Sequence, residues 1–260
     1  MNSGNRTKIN QLLHLTPPGV VMASNWLSRQ GYSSELIRSY KNSRWLASFG
    51  NGAVTRYMDE VDYLGAVYAL QHQLQSTIHP AAKTALSLLG RSHYLELNQH
   101  AVYLFGKERE ALPTWFKRHD WGHEVLFFTS SFLPPGIGMT TFNHKNFSIM
   151  ISGHTRAIME CLYLTPGKMN LLESYELMEG LHNPRPGQVQ ELLENCNSVK
   201  VKRLFLYLAE KSNHGWLKYL NIENIDLGSG KRSFAQQGVY NAKYQITVPK
   251  EIEDNESPGV

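Results

Sequence analysis

Two stretches hold the residue types from which reaction centres are built. Leu227-Gly228-Ser229-Gly230-Lys231-Arg232 resembles a loop whose backbone N–H groups cradle phosphate. It departs from such a loop twice: Ile225 stands where the first glycine is required, and Arg232 replaces the Ser or Thr after the lysine. A solvated turn is the simpler reading, with Lys231 and Arg232 still able to hold an anion. His119-Asp120-Trp121-Gly122-His123-Glu124 places two imidazoles at i, i+4 beside carboxylates. On a helix that spacing permits two metal contacts, but Gly122 weakens a helix and the His-Glu-x-x-His order is missing. No metal and no cofactor are expected.

Covalent chemistry finds no better footing. The chain has no Gly-x-Ser-x-Gly elbow, no His-Arg-Asp loop and no Asp-Phe-Gly triplet. Cys161 and Cys196, the two cysteines, each lie in an amphipathic helical pattern and read as small packed hydrophobes. Two such thiols without a disulfide framework fit a reduced, cytoplasmic protein. Arg156 and Glu160 are i, i+4 on one helix, and the expectation is a surface ion pair. No residue qualifies as catalytic, and the chain does not read as an enzyme.

Charge is more informative. The 260 residues carry 26 Lys+Arg against 22 Asp+Glu, a formal net +4, and 42% are apolar. This balance excludes collagen-like, coiled-coil and wholly disordered chains. No apolar run approaches the ~18–20 residues a membrane span needs, and the first fifteen residues lack the apolar core of a signal peptide. No membrane partner is expected. Residues 1–58 hold Arg6, Lys8, Arg29, Arg38, Lys41, Arg44 and Arg56 against Glu35 alone, a net +6, while residues 59–260 sum to −2. A basic segment on a near-neutral body predicts a polyanionic partner.

Those cations need positioning, and the local signals say how. Ile9, Leu12 and Leu13 mark a helix ended by Pro17-Pro18-Gly19; Ala23 to Gln30 is a second, followed by Gly31. Ser33 or Ser34 caps a third, with Glu35 in its first turn and Leu36, Ile37 and Tyr40 behind. Trp45 to Phe49, Gly50-Asn51-Gly52 and Ala53 to Tyr57 read as a hairpin. Helix, helix, turn, helix and hairpin, with a net +6, form the pattern of a winged helix-turn-helix, whose third helix enters the major groove while the wing follows the backbone. Arg38, Lys41, Arg44 and Arg56 are its expected phosphate contacts, and Ser33, Ser34, Arg38 and Asn42 the expected base-edge or register contacts.

Beyond this segment, helices are expected at Val61–Gln75 and Pro80–Leu89. Strands follow at Tyr94–Leu97, Val102–Phe105, Val125–Phe128 and Ser148–Ser152, then helices at Ala157–Leu164, Leu171–Leu181, Val189–Cys196 and Val199–Lys211. Val239-Tyr240 and Tyr244–Val248 offer a last strand pair. The predicted fold is α+β: a winged helix-turn-helix over 1–60, a connecting helix over 61–80, a mixed α+β domain over 81–249 and a disordered tail over 250–260. In the 199–211 helix, Val201, Leu204, Phe205, Leu208 and Ala209 form a buried stripe. Lys200, Arg203, Tyr207 and Lys211 lie opposite, flanked by Lys202, and are candidates for a second anion contact.

Taken in order, several short matches look like one family. Gly19–Met22, Trp26-Leu27, Gly31-Tyr32-Ser33, Tyr40-Lys41, Trp45-Leu46 and Gly52–Thr55 resemble the N-terminal domain of AbiEi antitoxins from type IV toxin–antitoxin (abortive infection) systems. The similarity continues through Ala69-Leu70-Gln71, Thr84-Ala85-Leu86, Leu89-Gly90, His93-Tyr94-Leu95, Leu112-Pro113, Ser152–Leu164, Ser198–Phe205 and Leu227–Lys231. The resemblance implies a bipartite antitoxin. Its winged helix would bind inverted repeats in its own promoter and repress it, with Arg29, Arg38, Lys41, Arg44 and Arg56 in the region that relatives use on DNA. Its C-terminal domain would counteract an AbiEii-type nucleotidyltransferase toxin, without requiring a stable complex. Lys200, Lys202, Arg203, Lys211, Lys231 and Arg232 are the candidates for antitoxicity or a second anion contact. Two rival readings are a phosphotransferase that modifies the toxin and a ligand-sensing regulator with an apolar pocket.

Overall fold

Apolar spacing and caps shape the first helices of the computed structural model, which describes residues 7–90 and 101–254. Helix α1 (Lys8–Leu15) buries Ile9 and Leu12. Strand β1 (Met22–Ala23) leads directly into α2 (Ser24–Arg29), and α3 (Ser34–Asn42) follows after a four-residue turn. Strands β2 (Leu46–Ser48) and β3 (Ala53–Arg56) make the expected hairpin. Strand β1 pairs with β3, Met22 opposite Val54, so the hairpin becomes a three-stranded sheet in the order β1-β3-β2. Ile9, Leu12, Met22, Leu27, Tyr32, Leu46 and Val54 form the core beneath, with Leu36, Ile37 and Tyr40 of α3 packed against it.

The segment expected to be a connecting helix is part of this body. Helix α4 (Tyr63–Tyr68) is capped by Asp62, whose Oδ1 accepts from the Gly65 N–H at 3.0 Å. It widens into one π-turn over Ala69–Gln73. Buried Gln73 accepts from Ala23 N at 2.9 Å and donates to Val21 O at 2.8 Å, so its amide serves the open edge of β1 as a strand would. Strand β4 (His79–Pro80) pairs antiparallel with β5 (Ala101–Gly106), and β5 runs parallel to β6 (Glu124–Thr129). The β5–β6 crossover carries the short helix α6 (Thr114–Lys117); α5 (Ala82–Leu88) precedes β5 in sequence. Strands β7 (Met139–His144) and β8 (Phe147–Ser152) form a two-stranded sheet.

The described residues of Met1–Pro80, His100–Thr129 and Thr141–Ile151 gather into one compact unit, and those of Ala81–Gln99, Ser130–Thr140 and Ser152–Val260 into a second. Residue 81 is therefore a point of exchange, but β5, β6 and most of the β7–β8 sheet return to the first unit instead of joining a contiguous 81–249 domain. Pairing of β4 with β5 is responsible, a non-local choice that local patterns do not carry. The strand expected at Tyr94–Leu97 lies outside the described residues.

In the second unit, α5 packs with α7 (His154–Leu164), alongside α8 (Leu171–Glu179), α9 (Pro186–Glu194) and α10 (Val199–Lys211). The Arg156–Glu160 pair is not on the surface. Its side chains are 6% and 0% exposed, with Nε to Oε1 at 2.9 Å. Glu160 also accepts from Ser152 Oγ and, at 3.0 Å, from Ala82 N, while Arg156 Nη1 donates to the carbonyls of Pro134 and Ile137. An i, i+4 ion pair looks alike in sequence at either depth; packing decides. Strands β9 (Arg232–Ser233), β10 (Gly238–Asn241) and β11 (Ile246–Pro249) form a sheet in the order β10-β11-β9. The predicted disordered tail is corrected over α11 (Lys250–Asp254), whose Ile252 is fully buried and whose Glu253 accepts from Tyr207 Oη at 2.7 Å. The rest of that tail lies outside the described residues.

Candidate nucleic-acid interface

Two helix ends orient α3. After α2, Gly31 takes φ +82°; its N–H donates to Ser28 O at 3.0 Å, and the Tyr32 N–H reaches back to Leu27 O at 3.0 Å. This Schellman closure redirects the chain in four residues, and glycine at its left-handed position avoids the Cβ penalty. Tyr32 then buries its ring and donates its hydroxyl to Lys8 O at 3.1 Å, tying the turn to α1. Ser33 Oγ caps α3 through the Leu36 N–H at 3.3 Å. Glu35's carboxyl is held below its ordinary value by its own backbone N–H and by the Ser33 and Ser34 hydroxyls, a negative charge suited to the first turn.

The same closure ends α3, with an arginine where glycine is usual. Arg44 has φ +56°; its N–H donates to Lys41 O at 3.1 Å and the Trp45 N–H to Tyr40 O at 2.9 Å. Leu36, Ile37 and Tyr40 face the core, so the 3.6-residue period turns Ser34, Arg38, Lys41 and Asn42 outward. Ser33, Ser34, Arg38, Asn42 and Arg44 are exposed; Lys41 is half-buried, with Nζ 3.4 Å from Ser48 Oγ. Arg29 is also exposed, but its Nη2 donates to Gln73 O at 2.9 Å. Trp45, an exposed aromatic beside Arg44, read in sequence only as a strand hydrophobe.

Arg56 does not join this face. Its Nη2 donates to the carbonyls of Leu13, at 2.6 Å, and Thr16, so it closes the C-terminal end of α1. Burial pushes its guanidinium pKa down, and nearby Asp59 opposes the shift. Its expected role as a wing phosphate contact is corrected: carbonyls forty residues upstream occupy it.

The second expected cluster is mostly internal. Helix α10 is buried on every side from Val201 to Ala209. Arg203, 2% exposed, donates to the carbonyls of Leu227 at 2.7 Å, Gly228 at 3.0 Å and Gly230 at 2.6 Å. The glycine loop is thus the reverse of a phosphate cradle: its carbonyls converge on a cation. Lys200 Nζ donates to Tyr163 O at 2.5 Å and Thr165 O at 2.7 Å, and burial pushes its pKa down. Lys202 is buried, and Lys211 donates to Glu253 O at 2.7 Å. Lys200, Lys202, Arg203 and Lys211 therefore do not make an open anion face. Lys231 and Arg232 do lie at the surface, Lys231 Nζ 5.0 Å from the centre of the Tyr240 ring.

Sequence reasoning missed what supports the hairpin. Phe49, last residue before its tip, packs against His119 at 4.3 Å and Trp121 at 5.8 Å between ring centres, with Trp115 edge-on at 6.3 Å. His119 belongs to the stretch weighed above as a metal pair; among the described residues no three His, Cys, Asp or Glu converge as ligands. Nor is any described helix long and apolar enough to cross a membrane.

Comparison with known proteins covers nearly the whole length of the chain. Residues 5–97 match a family described as a transcriptional regulator, AbiEi antitoxin N-terminal domain. Residues 99–249 match one described as a transcriptional regulator, AbiEi antitoxin, type IV TA system. No curated protein matches the chain. The crystal structure of the RV2827C protein from Mycobacterium tuberculosis has a similar fold, with a TM-score of 0.53 and 13% identity over 92% of this chain and 88% of that one.

Proposed function

Since this chain belongs to the AbiEi antitoxins, transcriptional regulators of type IV toxin–antitoxin systems, we propose that α3 grips the duplex of its own promoter. The observation that carries this is the outward face of α3: Ser34, Arg38, Lys41 and Asn42 on one stripe, with Arg44 at its end. Cations there displace counterions from phosphates, while serine and asparagine side chains suit base edges or register. Arg29 and Ser33 flank this face. Residues 1–60 act as a winged helix-turn-helix on inverted repeats, and the promoter is repressed while they are occupied. The remainder of the chain counteracts a nucleotidyltransferase toxin of the AbiEii type, with Lys231 and Arg232 as its surface anion contacts.

The test uses the full-length chain, since a cut at residue 80 would remove β5 and β6 from the first unit. A labelled fragment from upstream of the reading frame is titrated at low salt. Arg38→Ala with Arg44→Ala is expected to weaken binding tens-fold, at about 1 kcal/mol per lost contact. In cells, the same variant is expected to lose repression yet still rescue growth from the toxin. Wild-type protein that shifts no upstream fragment defeats the DNA reading; failed rescue by wild-type protein defeats the antitoxin partner.

A further inference from the structure

The hairpin has a wing's shape but lacks a wing's charge. From Leu46 to Arg56 its single cation is Arg56, and that guanidinium is spent on α1 carbonyls. Its tip does not stand alone either. Gly50 lies so near Trp115 that a Cβ there would sit 3.4 Å from the Trp115 backbone, and Phe49 stacks on His119. Immediately after Trp115 and Phe116, Lys117, Arg118 and His119 are exposed, as is the tip Gly50-Asn51-Gly52, and Trp115 and His119 on either side of the two cations adjoin Gly50 and Phe49.

This neighbouring turn is rigidly held. The N–H groups of Lys117 and Arg118 donate to Pro113 O at 3.0 Å and Thr114 O at 3.1 Å, and Trp121 Nε1 closes the turn on Phe116 O at 2.9 Å. Before α6, the Glu110 carboxylate accepts from Thr77 Oγ1 at 2.6 Å, Thr77 N at 2.9 Å and Lys107 N at 3.1 Å. Of the nearby acids, Asp120 uses Oδ1 to accept from the Gly122 N–H at 2.9 Å, and Glu124 opens β6.

We propose that Lys117 and Arg118, carried on the β5–β6 crossover, supply the phosphate contacts that the hairpin, its one cation engaged by backbone carbonyls, lacks, extending the DNA interface from α3 across the hairpin tip. The proposal rests on the DNA reading above and adds a second patch to it. Main-chain-braced cations beside a glycine tip suit the duplex backbone, which presents regular negative charge and no sequence information.

The test compares salt dependence on two duplexes, the upstream fragment and an unrelated one of equal length, using the full chain. Lys117→Gln with Arg118→Gln is expected to weaken both by the same factor and flatten the slope of log K against log salt by about 2, leaving discrimination between them intact. Lys117→Arg with Arg118→Lys should restore the slope. If Arg38→Ala/Arg44→Ala weakens binding while the Gln pair leaves affinity and slope unchanged, this inference is wrong and the α3 reading survives. If wild-type protein binds neither duplex, both fall together.

Discussion

Arg203 Nε donates to the carbonyl oxygen of Leu227 at 2.7 Å, and that bond explains the glycines around it. Gly228 and Gly230 adopt φ +60° and +80°, which turns the carbonyls of Leu227, Gly228 and Gly230 toward one guanidinium. Replacing Arg203 by methionine keeps much of the volume but strands those carbonyls. An unfolding free energy lower by about 3 kcal/mol is expected in urea titration. Lysine at 203 should recover only part, because one ammonium cannot span three carbonyls as a planar fork does.

Arg44 holds the left-handed position that closes α3, where a side chain costs on the order of 1 kcal/mol relative to glycine. Arg44→Gly is therefore expected to raise the melting temperature modestly while weakening DNA binding. Separation of the two effects is the informative result. A variant that loses stability as well would mean that the arginine side chain packs into the fold.

Glu160 and Arg156 make a buried pair, Glu160 accepting also from Ser152 Oγ and the Ala82 N–H and Arg156 donating also to the Pro134 and Ile137 carbonyls. Removing one partner leaves an uncompensated charge, so Glu160→Leu should destabilise by about 3–5 kcal/mol. Adding Arg156→Met should return most of that loss. Chemical denaturation of the two single variants and the double variant measures the coupling; strictly additive losses would deny it.

Asp62 gives the first unit an acid limit. Burial pushes its carboxyl up, but the Gly65 N–H, the His144 ring at 2.7 Å and Lys145 at 3.2 Å outweigh that and hold it below its ordinary value. Glu110 is depressed in the same way, with burial outweighed by Thr77, Ser76 and the Lys107 N–H. A carboxyl depressed in the folded state contributes stability that is complete above its unfolded value, about 4. That contribution is lost as pH falls through the depressed folded value. Melting temperature should therefore decline below about pH 4, and Asp62→Asn should flatten the decline while lowering stability at neutral pH.

What the sequence determined by itself was local. Gly31 and Ser33 bracket the α2–α3 turn, Asn51-Gly52 places the hairpin, and the charge imbalance marks the first 58 residues, because caps, turns and periodicity act within a few residues. Ordered short matches along the chain carried the family likewise. Tertiary structure alone decided which cations remain available. Arg56, Lys200 and Arg203 look no different in sequence from Arg38, Arg44 and Lys117, yet carbonyls between 24 and 43 residues away occupy the first three. The joining of β4 to β5 and β6, and the descent of Arg156–Glu160 into the core, were decided in the same way. A guanidinium or a strand edge is satisfied by whatever backbone the fold brings to it, and that partner's distance along the chain leaves no local trace.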